Sequence, residues 1–577
     1  MLLQPVFDIA EICSRKGIKD AIVCPGSRCA PLTLAFARHS GIQTRTISDE
    51  RSAGFIALGI AQQTKRTVVL ICTSGTAVYN FAPAIAEAYY QRIPLLVLTA
   101  DRPAEWIGQW DGQTISQQGI YKDHVKRAYQ LPQDYEHPDS KWWIRRTINE
   151  AVNLAQEGQH GPVHVNVPLR EPLYPGKEEV FSFSEDIRAT ERLTTRVTLP
   201  PKTIQQLSSQ LEQSRRVLVV GGQGSLDVNL VSALNSFASS GDIVVVGDVI
   251  SNLHPLPSVV RYSDVFLAPL DEKAKNDLRP DLLITIGQSV ISKNLKLFLR
   301  SNKPLAHWHV DEAAGPIADP FQSVTTLVQQ GPEDFFTTLA KNVRSNADRK
   351  EYVKRWRDLD EKASDIVTEF LQSERPGELS FVNKVMLYVP DHTSLHLANS
   401  MAVRYANFCG MGENKKGVQV YGNRGTSGID GCTSTVVGHA LSSDTIHTLI
   451  TGDVAFFYDR NAFWNNYPSP NLRVVVLNNH GGAIFGMIDG PASLPEVDEY
   501  FVTRQTLSAS NLANEFGLIY QRVSDGEDAD AILDDFFRPG DRAKILEFES
   551  GSKEAKELFL RFKERVRDKM KEINYTN

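Results

Sequence analysis

Short apolar runs of the length of a strand alternate with helix-like stretches along the whole chain. These runs lie at residues 20–24, 67–72, 95–99, 163–167, 216–220, 243–246, 282–286, 394–398, 446–451, 473–477 and 544–548. Continuous apolar runs are typical of parallel strands that are buried on both faces. Strands that alternate with helices predict parallel sheets covered by helices, an α/β fold.

Two breaks divide this pattern into three parts of similar size. A loop rich in Pro, Glu and Ser spans roughly residues 171–195, and a charged helical stretch at about 346–372 leads to Arg375-Pro376-Gly377. A chain of 577 residues is also too long for a single core. We therefore predict three doubly wound α/β domains with mainly parallel sheets, at residues 1–180, 195–345 and 376–577.

The composition excludes several classes of protein. It is 42% hydrophobic and 23% charged with a net charge of −7, which argues against a nucleic-acid surface. No apolar run reaches the roughly 18 residues that span a bilayer, and the first residues lack a signal-peptide pattern. The six cysteines include no CxxC pair, which favours buried free thiols over disulfides or zinc. We expect a cytoplasmic protein without nucleic-acid or membrane partners.

Two polar pairs follow apolar runs in the last third of the chain. Gly452-Asp453 follows residues 447–451, and Asn478-Asn479 follows residues 473–477. Open α/β sheets bind their ligands at the carboxyl ends of the strands. Carboxylate and amide oxygens there suit Mg²⁺, which prefers hard oxygen ligands and substrate phosphates. Each pair alone is more often a turn or a helix cap. Together they resemble the thiamine-diphosphate and metal motif of thiamine enzymes.

Gly481-Gly482 extends this motif, because glycine lets the backbone approach a ligand closely and offer a carbonyl oxygen. The motif departs from the usual thiamine pattern at Val454, where a third glycine is common. A second glycine cluster, at residues 221–224, does not complete GxGxxG, since the last glycine would fall at Asp227. We interpret it as a tight turn and expect neither NAD nor FAD.

Glu50 begins a stretch with unusually small side chains. Ala53, Gly54, Ala57, Gly59 and Ala61 predict a thin helix that can lie close against another element. Glu50 could be a helix-start acid that the macrodipole favours. In thiamine enzymes, a glutamate in this position hydrogen-bonds N1′ of the aminopyrimidine and so promotes proton removal from the thiazolium.

Several arginines follow predicted strands or lie in glycine-rich loops. Each could be a turn with a solvated side chain, but an arginine at a strand end can also bind a carboxylate through two hydrogen bonds. Converging arginines would mark a substrate with several negative charges. The candidates and their polar neighbours are Ser27, Arg28, Arg102, Gln113, Ser400, Arg404 and Arg424.

Three apolar residues lie beside these polar motifs. Ile429 stands in the glycine-rich stretch 421–431, where it either packs in the core or supports a folded cofactor. Ile484 and Phe485 follow Gly482 and predict an apolar wall over a reactive centre.

These motifs, in this order, resemble the 2-succinyl-5-enolpyruvyl-6-hydroxy-3-cyclohexene-1-carboxylate (SEPHCHC) synthase family of thiamine-diphosphate-dependent enzymes in menaquinone biosynthesis. The resemblance extends over nearly the whole chain, and this family also lacks the third glycine at position 454. It rests on Pro25-Gly26-Ser27-Arg28, Ser48-Asp49-Glu50-Arg51, Asp101-Arg102-Pro103, Asn399-Ser400, the stretch 423–431, and the pairs 452–453 and 478–479.

The resemblance implies a transferase of the carboligase type. It would decarboxylate 2-oxoglutarate and add the resulting succinyl carbanion to isochorismate in a 1,4-addition, giving SEPHCHC and CO₂. The implied cofactors are thiamine diphosphate and Mg²⁺, with Mn²⁺ as an alternative. The enzyme would be a homodimer or homotetramer, because in relatives the cofactor lies between the first domain of one subunit and the last domain of another.

The resemblance also implies roles for individual residues. Glu50 would be catalytic, and Ile429 would support the bent cofactor. The remaining cofactor contacts would be Gly452, Asp453, Asn479, Gly481 and Gly482, of which Asp453, Asn479 and the Gly481 carbonyl would bind the metal. The substrate contacts would be Ser27, Arg28, Arg102, Gln113, Lys293, Ser400, Arg404, Arg424, Ile484 and Phe485.

The chain departs from the family pattern at two points. Asn294 stands where the family often has arginine, and Gly112 stands where it has asparagine. The alternatives are another thiamine-dependent lyase or decarboxylase, a catalytically silent thiamine-fold protein, and a membrane-associated role. The first would not need the arginines, the second would have lost Glu50 or a metal ligand, and the third would need a basic amphipathic anchor.

Overall fold

The computed structural model describes residues 4–176, 182–193, 195–313, 315–488, 490–524 and 527–574. The chain folds into two compact units. The first unit comprises residues 1–195, 423–444 and 455–472, and the second comprises residues 196–422, 445–454 and 473–577. The predicted end of the first domain, at residue 180, lies outside the described residues.

The described residues form three six-stranded sheets. The first sheet contains β1 (Asp20–Val23), β2 (Gln43–Thr46), β3 (Val68–Cys72), β4 (Leu95–Asp101), β5 (Ala128–Gln130) and β6 (Val163–Pro168). The second contains β7 (Val217–Gly221), β8 (Val244–Gly247), β9 (Val259–Val260), β10 (Leu282–Ile286), β11 (Ala306–Asp311) and β12 (Thr326–Gln329). The third contains β13 (Ser394–Leu397), β14 (Gln419–Tyr421), β15 (His447–Gly452), β16 (Leu472–Asn478), β17 (Ile519–Ser524) and β18 (Lys544–Glu549).

The helices that accompany these strands are, in chain order, α1 (Gln4–Arg15), α2 (Ala30–Ala37), α3 (Glu50–Thr64), α4 (Ala77–Asn80), α5 (Ala82–Gln91), α6 (Pro138–Gln156), α7 (Pro201–Gln213), α8 (Val228–Gly241), α9 (Ser263–Phe266), α10 (Glu272–Leu278), α11 (Lys293–Ser301), α12 (Pro332–Ala340), α13 (Ala347–Ser373), α14 (Glu378–Tyr388), α15 (Met401–Cys409), α16 (Cys432–Ala440), α17 (Asp453–Tyr458), α18 (Ile484–Met487), α19 (Ala509–Glu515), α20 (Asp530–Phe537) and α21 (Ser552–Asn574). Short 3₁₀ turns and a π-helical turn at Val497–Val502 complete the described segments.

The first and third sheets share one strand order, and the second sheet has a different one. Their strand orders are β2-β1-β3-β4-β6-β5, β12-β11-β10-β7-β8-β9 and β14-β13-β15-β16-β18-β17. The paired strands run parallel, for example β1 with β3, β7 with β10 and β16 with β18. The predicted α/β class with three parallel sheets is confirmed. The structure also confirms each apolar run predicted as a strand.

Seven strands were not predicted, and six of them are the edge strands of the sheets. Strand β2, with the sequence Gln-Thr-Arg-Thr, is typical because three of its four residues are exposed or half-exposed. The seventh, β11, is an interior strand in which polar and apolar residues alternate, as in His307-Trp308-His309.

Two further sequence predictions are confirmed. All six cysteines are buried and free. The charged stretch forms α13, which buries Trp356 against the rings of Phe266, Phe298 and Tyr352 and leaves most of its charged side chains exposed.

Within the described ranges, no helix has the length and apolar character needed to cross a membrane.

Helices α3 and α16 make a very close contact within the first unit. A Cβ atom built on Gly59 would lie 2.0 Å from the Thr435 carbonyl oxygen, and one built on Gly438 would lie 2.2 Å from the Ile56 carbonyl oxygen. Glycine is required at both positions, because any side chain would push the helix backbones apart. The predicted thin helix therefore does lie against another element.

We expect Gly59→Ala to lower the free energy of unfolding by about 1–3 kcal/mol or more, because the added methyl group overpacks a backbone contact. The measurement is urea denaturation followed by circular dichroism. The control is Gly331→Ala, since the nearest atom to its added Cβ, Asp334 Oδ2, lies 4.0 Å away. Equal effects of the two substitutions would contradict the packing argument.

Candidate active site

In the second unit, the predicted metal residues lie at the carboxyl ends of adjacent strands. Asp453 directly follows β15, Asn478 ends β16, and these two strands are neighbours in the third sheet. Gln505 Nε2 donates to Asp453 Oδ2 at 2.7 Å and to Asn478 Oδ1 at 3.0 Å. Burial raises the pKa of Asp453 to about 6, while hydrogen bonds from Gln505 and from the backbone N–H groups of Val454 and Gly481 lower it.

Asn479 presents an oxygen that has no hydrogen-bond donor. Its Nδ2 donates to Glu378 Oε1 at 2.8 Å, so the amide is oriented, while the buried Oδ1 has no hydrogen-bond partner. A buried acceptor without a donor is costly unless a ligand satisfies it. Together with the Asp453 carboxylate it forms a donor set that suits Mg²⁺. The Gly481 carbonyl, the third predicted ligand, accepts from Ala483 N at 3.0 Å and keeps a second lone pair.

The glycines after this pair allow close packing. A Cβ on Gly481 would lie 2.8 Å from the Val502 carbonyl oxygen, and one on Gly482 would lie 3.1 Å from that of Phe501. Ile484 and Phe485 begin the short helix α18, and both are half-buried. The Phe485 ring lies 5.7 Å from that of Phe501, so an apolar surface borders the polar cluster.

Two cationic candidates of the second unit lie on helices. Arg404, on α15, donates from Nη1 to the Ser400 carbonyl oxygen at 2.6 Å. Ser400 itself has a φ of 71°, an uncommon conformation for a residue other than glycine. Lys293 is exposed at the first residue of α11. Asn294, where the family often has arginine, donates from Nδ2 to the Asp264 carbonyl oxygen at 2.7 Å and so stabilises the start of that helix.

In the first unit, Glu50 is the first residue of α3 and is half-buried. Its Oε2 accepts from Asn80 Nδ2 at 3.5 Å. The preceding residue, Asp49, caps the helix by accepting from Ser52 N at 3.2 Å, and its Oδ2 accepts from Asn461 Nδ2 at 2.7 Å. The helix start is therefore fixed, while the Glu50 carboxylate makes only a long hydrogen bond and stays available to a ligand.

The residue after Glu50 is also anchored. Arg51 donates from Nη2 to the Tyr458 carbonyl oxygen at 2.8 Å and lies 4.0 Å from Asp459 Oδ1. Asp459 is fully buried and accepts from Ser434 N at 2.6 Å and from Ser434 Oγ at 2.7 Å. Burial raises the pKa of Asp459 to about 7, although the Ser434 hydrogen bonds and the Arg51 charge lower it.

Arg28 and Arg102 lie close enough for their charges to interact. Arg28 is 6% exposed and donates to the Leu169 carbonyl oxygen at 2.9 Å. Burial lowers the pKa of Arg28, and the positive charge of Arg102 lowers it further. Arg102 pairs with Asp111 at 2.8 Å. Arg28 also lies 3.4 Å from the exposed carboxylate of Glu171, so each of the two guanidinium groups has an acidic partner in this structure.

Ser27 and Gln113 are exposed, and each lies in a loop of the first unit. A Cβ on Gly26 would lie 2.3 Å from Thr73 Cβ, so the Ser27 loop packs tightly on the loop after β3. Gln113 packs on the same loop, since a Cβ on Gly75 would lie 3.1 Å from Gln113 Cα. The two predicted residues therefore flank one shared loop.

The glycine-rich loop with Arg424 and Ile429 is held by Glu87. This carboxylate is 1% exposed and accepts from Gly425 N at 2.8 Å, Thr426 N at 2.6 Å and Thr426 Oγ1 at 2.5 Å. The end of the same loop packs on α3, because a Cβ on Gly431 would lie 2.2 Å from the Phe55 ring. Ile429 is thereby brought to the helix that Glu50 begins.

Sequence reasoning missed four polar residues that hold the candidates in place, three of them buried and one half-buried. The only signal in the sequence is an acid or amide within an apolar segment, as for the glutamate in Ala84-Ile-Ala-Glu-Ala88. The four residues are Glu87, Glu378, Asp459 and Gln505.

Comparison with known proteins assigns the chain to a family of thiamine-dependent enzymes. The family model for thiamine pyrophosphate enzyme, N-terminal TPP binding domain, matches residues 6–121, and the model for the middle domain of thiamine pyrophosphate matches residues 190–397. A SEPHCHC synthase of Cytophaga hutchinsonii is 45% identical over 98% of this chain and 99% of the relative. The chain belongs to the SEPHCHC synthase family.

Two other relatives bear the same name. The synthase of Porphyromonas gingivalis is 36% identical over 94% of this chain and 93% of its own length. That of Flavobacterium johnsoniae is 36% identical over 93% of this chain and 94% of its own length. The resemblance read from the motifs is thus confirmed along nearly the whole chain. The residues that match the N-terminal TPP binding domain model include Arg28, Glu50 and Arg102.

Asp459 makes the stability of this synthase-family protein depend on pH. Its folded pKa of about 7 lies above the usual carboxyl value of about 3.9, so between these values the folded state binds more protons than the unfolded state. Its contribution to stability is complete below about pH 4 and is lost as pH rises through about 7.

We expect the free energy of unfolding of the wild type, relative to that of Asp459→Asn, to fall as pH rises from about 5 to about 8. Urea denaturation at a series of pH values measures this difference. A difference that is constant across the series would contradict the shifted titration of Asp459, whatever the absolute stability of the variant.

Proposed function

We propose that the protein catalyses the thiamine-diphosphate-dependent decarboxylation of 2-oxoglutarate and the 1,4-addition of the resulting succinyl carbanion to isochorismate. The products are SEPHCHC and CO₂, and the reaction is that of a carboligase-type transferase in menaquinone biosynthesis. The observation that supports it best is the buried guanidinium of Arg28, 6% exposed, at the carboxyl edge of the first sheet, which feels the positive charge of Arg102. Both substrates are dicarboxylates, and a cationic pair in a thiamine-binding domain suits them.

In this proposal, carboxylate, amide and carbonyl oxygens of the chain hold the cofactor and its metal. Bound thiamine diphosphate supplies the electron sink for the carbanion. Glu50 would share a proton with N1′ of the aminopyrimidine, and its weakly engaged carboxylate supports this role. Asp453, Asn479 and the Gly481 carbonyl would hold Mg²⁺ or Mn²⁺, and the buried Asn479 Oδ1 without a donor supports this ligand set.

The remaining proposed contacts are of two kinds: apolar side chains that line the site, and polar or cationic side chains that bind the substrate. Ile429 would support the cofactor, and the half-buried Ile484 and Phe485 would exclude water from the reacting atoms. Gly452 and Gly482 would permit close approach of the diphosphate. The carboxylates and hydroxyls of the substrates would be held by Ser27, Arg28, Arg102, Gln113, Lys293, Ser400, Arg404 and Arg424.

The proposal extends to assembly and location. We propose a homodimer or homotetramer with its sites at subunit interfaces, and domains at residues 1–180, 195–345 and 376–577. We place the enzyme in the cytoplasm, because six buried free thiols suit a reducing compartment.

Glu50→Gln should fold normally and lose activity by about 100-fold or more, since the amide keeps the shape but cannot share the proton. The direct measurement is exchange of the C2 proton of bound thiamine diphosphate with deuterium, followed by NMR. Glu150→Gln, which removes a half-buried carboxylate paired with Arg127, is the control and should exchange like the wild type. Full exchange in Glu50→Gln would exclude the assigned role.

The function itself is tested by isochorismate consumption with thiamine diphosphate and Mg²⁺. Loss of isochorismate only in the presence of 2-oxoglutarate, with release of CO₂ and dependence on Mg²⁺, is the expected result. Decarboxylation of 2-oxoglutarate without loss of isochorismate would refute the acceptor. Preference for pyruvate would indicate another thiamine enzyme.

A further inference from the structure

A buried carboxylate in the second unit lies among the cationic candidates but has no place in the proposed chemistry. Asp264, on the short helix α9, is 9% exposed. Its Oδ1 accepts from Ser292 Oγ at 2.7 Å and from Asn294 N at 3.0 Å. Lys293 lies between these two residues in the chain, so Asp264 holds the side chain that precedes it and the backbone N–H that follows it.

The start of α11 depends on the same group. Ser292 is the N-cap of this helix, since its Oγ accepts from Leu295 N at 3.1 Å, and the same hydroxyl donates to Asp264. Asn294 adds a hydrogen bond from Nδ2 to the Asp264 carbonyl oxygen at 2.7 Å. Both the side chain and the backbone of Asp264 therefore hold the first turn of α11, whose first residue is Lys293.

Asp264 also interacts with Arg404. Helix α9 packs against both α11 and α15, and Arg404 is on α15. Burial lowers the pKa of Arg404, and the negative charge of Asp264 raises it. In the other direction, burial raises the pKa of Asp264, and the charges of Arg404 and Lys296 are among the factors that lower it. Arg404 is half-buried and hydrogen-bonded to the Ser400 carbonyl oxygen, so its guanidinium is held within the influence of a fixed negative charge.

We propose that Asp264 is a positioning residue that sets the placement of Lys293 relative to Arg404 and thereby the fit of the site to a substrate with two carboxylates. The proposal rests on the proposed function, which assigns both cations to substrate binding. It also explains the departure at Asn294. This asparagine replaces a basic side chain, and its amide serves to hold the helix that presents Lys293.

The test compares Asp264→Asn with the wild type in steady-state kinetics. The amide keeps an acceptor for Ser292 and Asn294 but removes the negative charge that acts on Arg404. We expect the KM of at least one of the two dicarboxylates to rise about tenfold, the size of a lost charge-assisted hydrogen bond. The kcat should change less than about threefold, and the affinity for thiamine diphosphate should stay unchanged within about twofold, because uniform substrate binding is what is lost.

A double-mutant cycle distinguishes positioning from general stability. In an Arg404→Ala background, Asp264→Asn should raise KM much less than it does alone, because the residue through which it acts is absent. Asp360→Asn is the matched control. It removes a carboxylate that accepts from the backbone N–H groups of Arg261 and Tyr262 in the same unit. This control should lower stability and leave both KM values unchanged.

Three outcomes would overturn the proposal: unchanged KM values in Asp264→Asn, effects that multiply in the double variant, or an equal rise of KM in Asp360→Asn. If Asp264→Asn does not fold, Asn294→Ala replaces it, and a KM unchanged within twofold would count against the proposal.

If the wild type turns over neither substrate, the proposed function fails. The affinities of the wild type and Asp264→Asn for 2-oxoglutarate and isochorismate are then compared by calorimetry, and equal affinities overturn the role of Asp264.

Discussion

The contact between α3 and α16 is the constraint on which the first unit depends. These helices approach so closely that Gly59 and Gly438 each face a backbone carbonyl oxygen of the other helix. No side chain separates them, so neither helix can shift without opening the core. Glu50 begins one of these helices, and the loop with Ile429 leads into the other. The position of the proposed catalytic carboxylate is therefore set by backbone packing as well as by local hydrogen bonds.

Buried carboxylates hold the glycine-rich loop and the helix starts that carry the candidate residues. Glu87 binds the backbone beside Arg424, Asp459 binds Ser434, and Asp264 binds the segment around Lys293. A carboxylate removed from water is costly unless several donors satisfy it, so each one requires its loop to adopt a single conformation. The same rule applies to Glu378, which orients the Asn479 amide through a hydrogen bond at 2.8 Å. The groups proposed to bind ligands thus lie next to buried carboxylates that are held by several hydrogen bonds.

The interior of the fold could be predicted from the sequence because interior parallel strands are continuous apolar runs, as in Val68–Cys72. The edge strands could not, since one side of an edge strand faces solvent and its composition, as in Gln43–Thr46, resembles that of a loop. Arg102, Asp453 and Asn479 could be selected as candidates from the sequence because they follow strand ends and match family motifs. The residues that anchor the candidates could not, because Glu87 and Gly425 are far apart in the chain and only folding brings them together.

The sequence by itself determined the α/β class, the interior strands, the cofactor motif and the family, since each depends on local composition or on motifs in a fixed order. Only the tertiary structure decided which groups are available to a ligand. It left Asn479 Oδ1 without a donor, buried the Arg28 guanidinium against the Leu169 carbonyl oxygen, and engaged Asn294 at a helix start. The physical reason is that hydrogen-bond satisfaction and charge interaction depend on distances between residues remote in the chain, and these distances are set by packing.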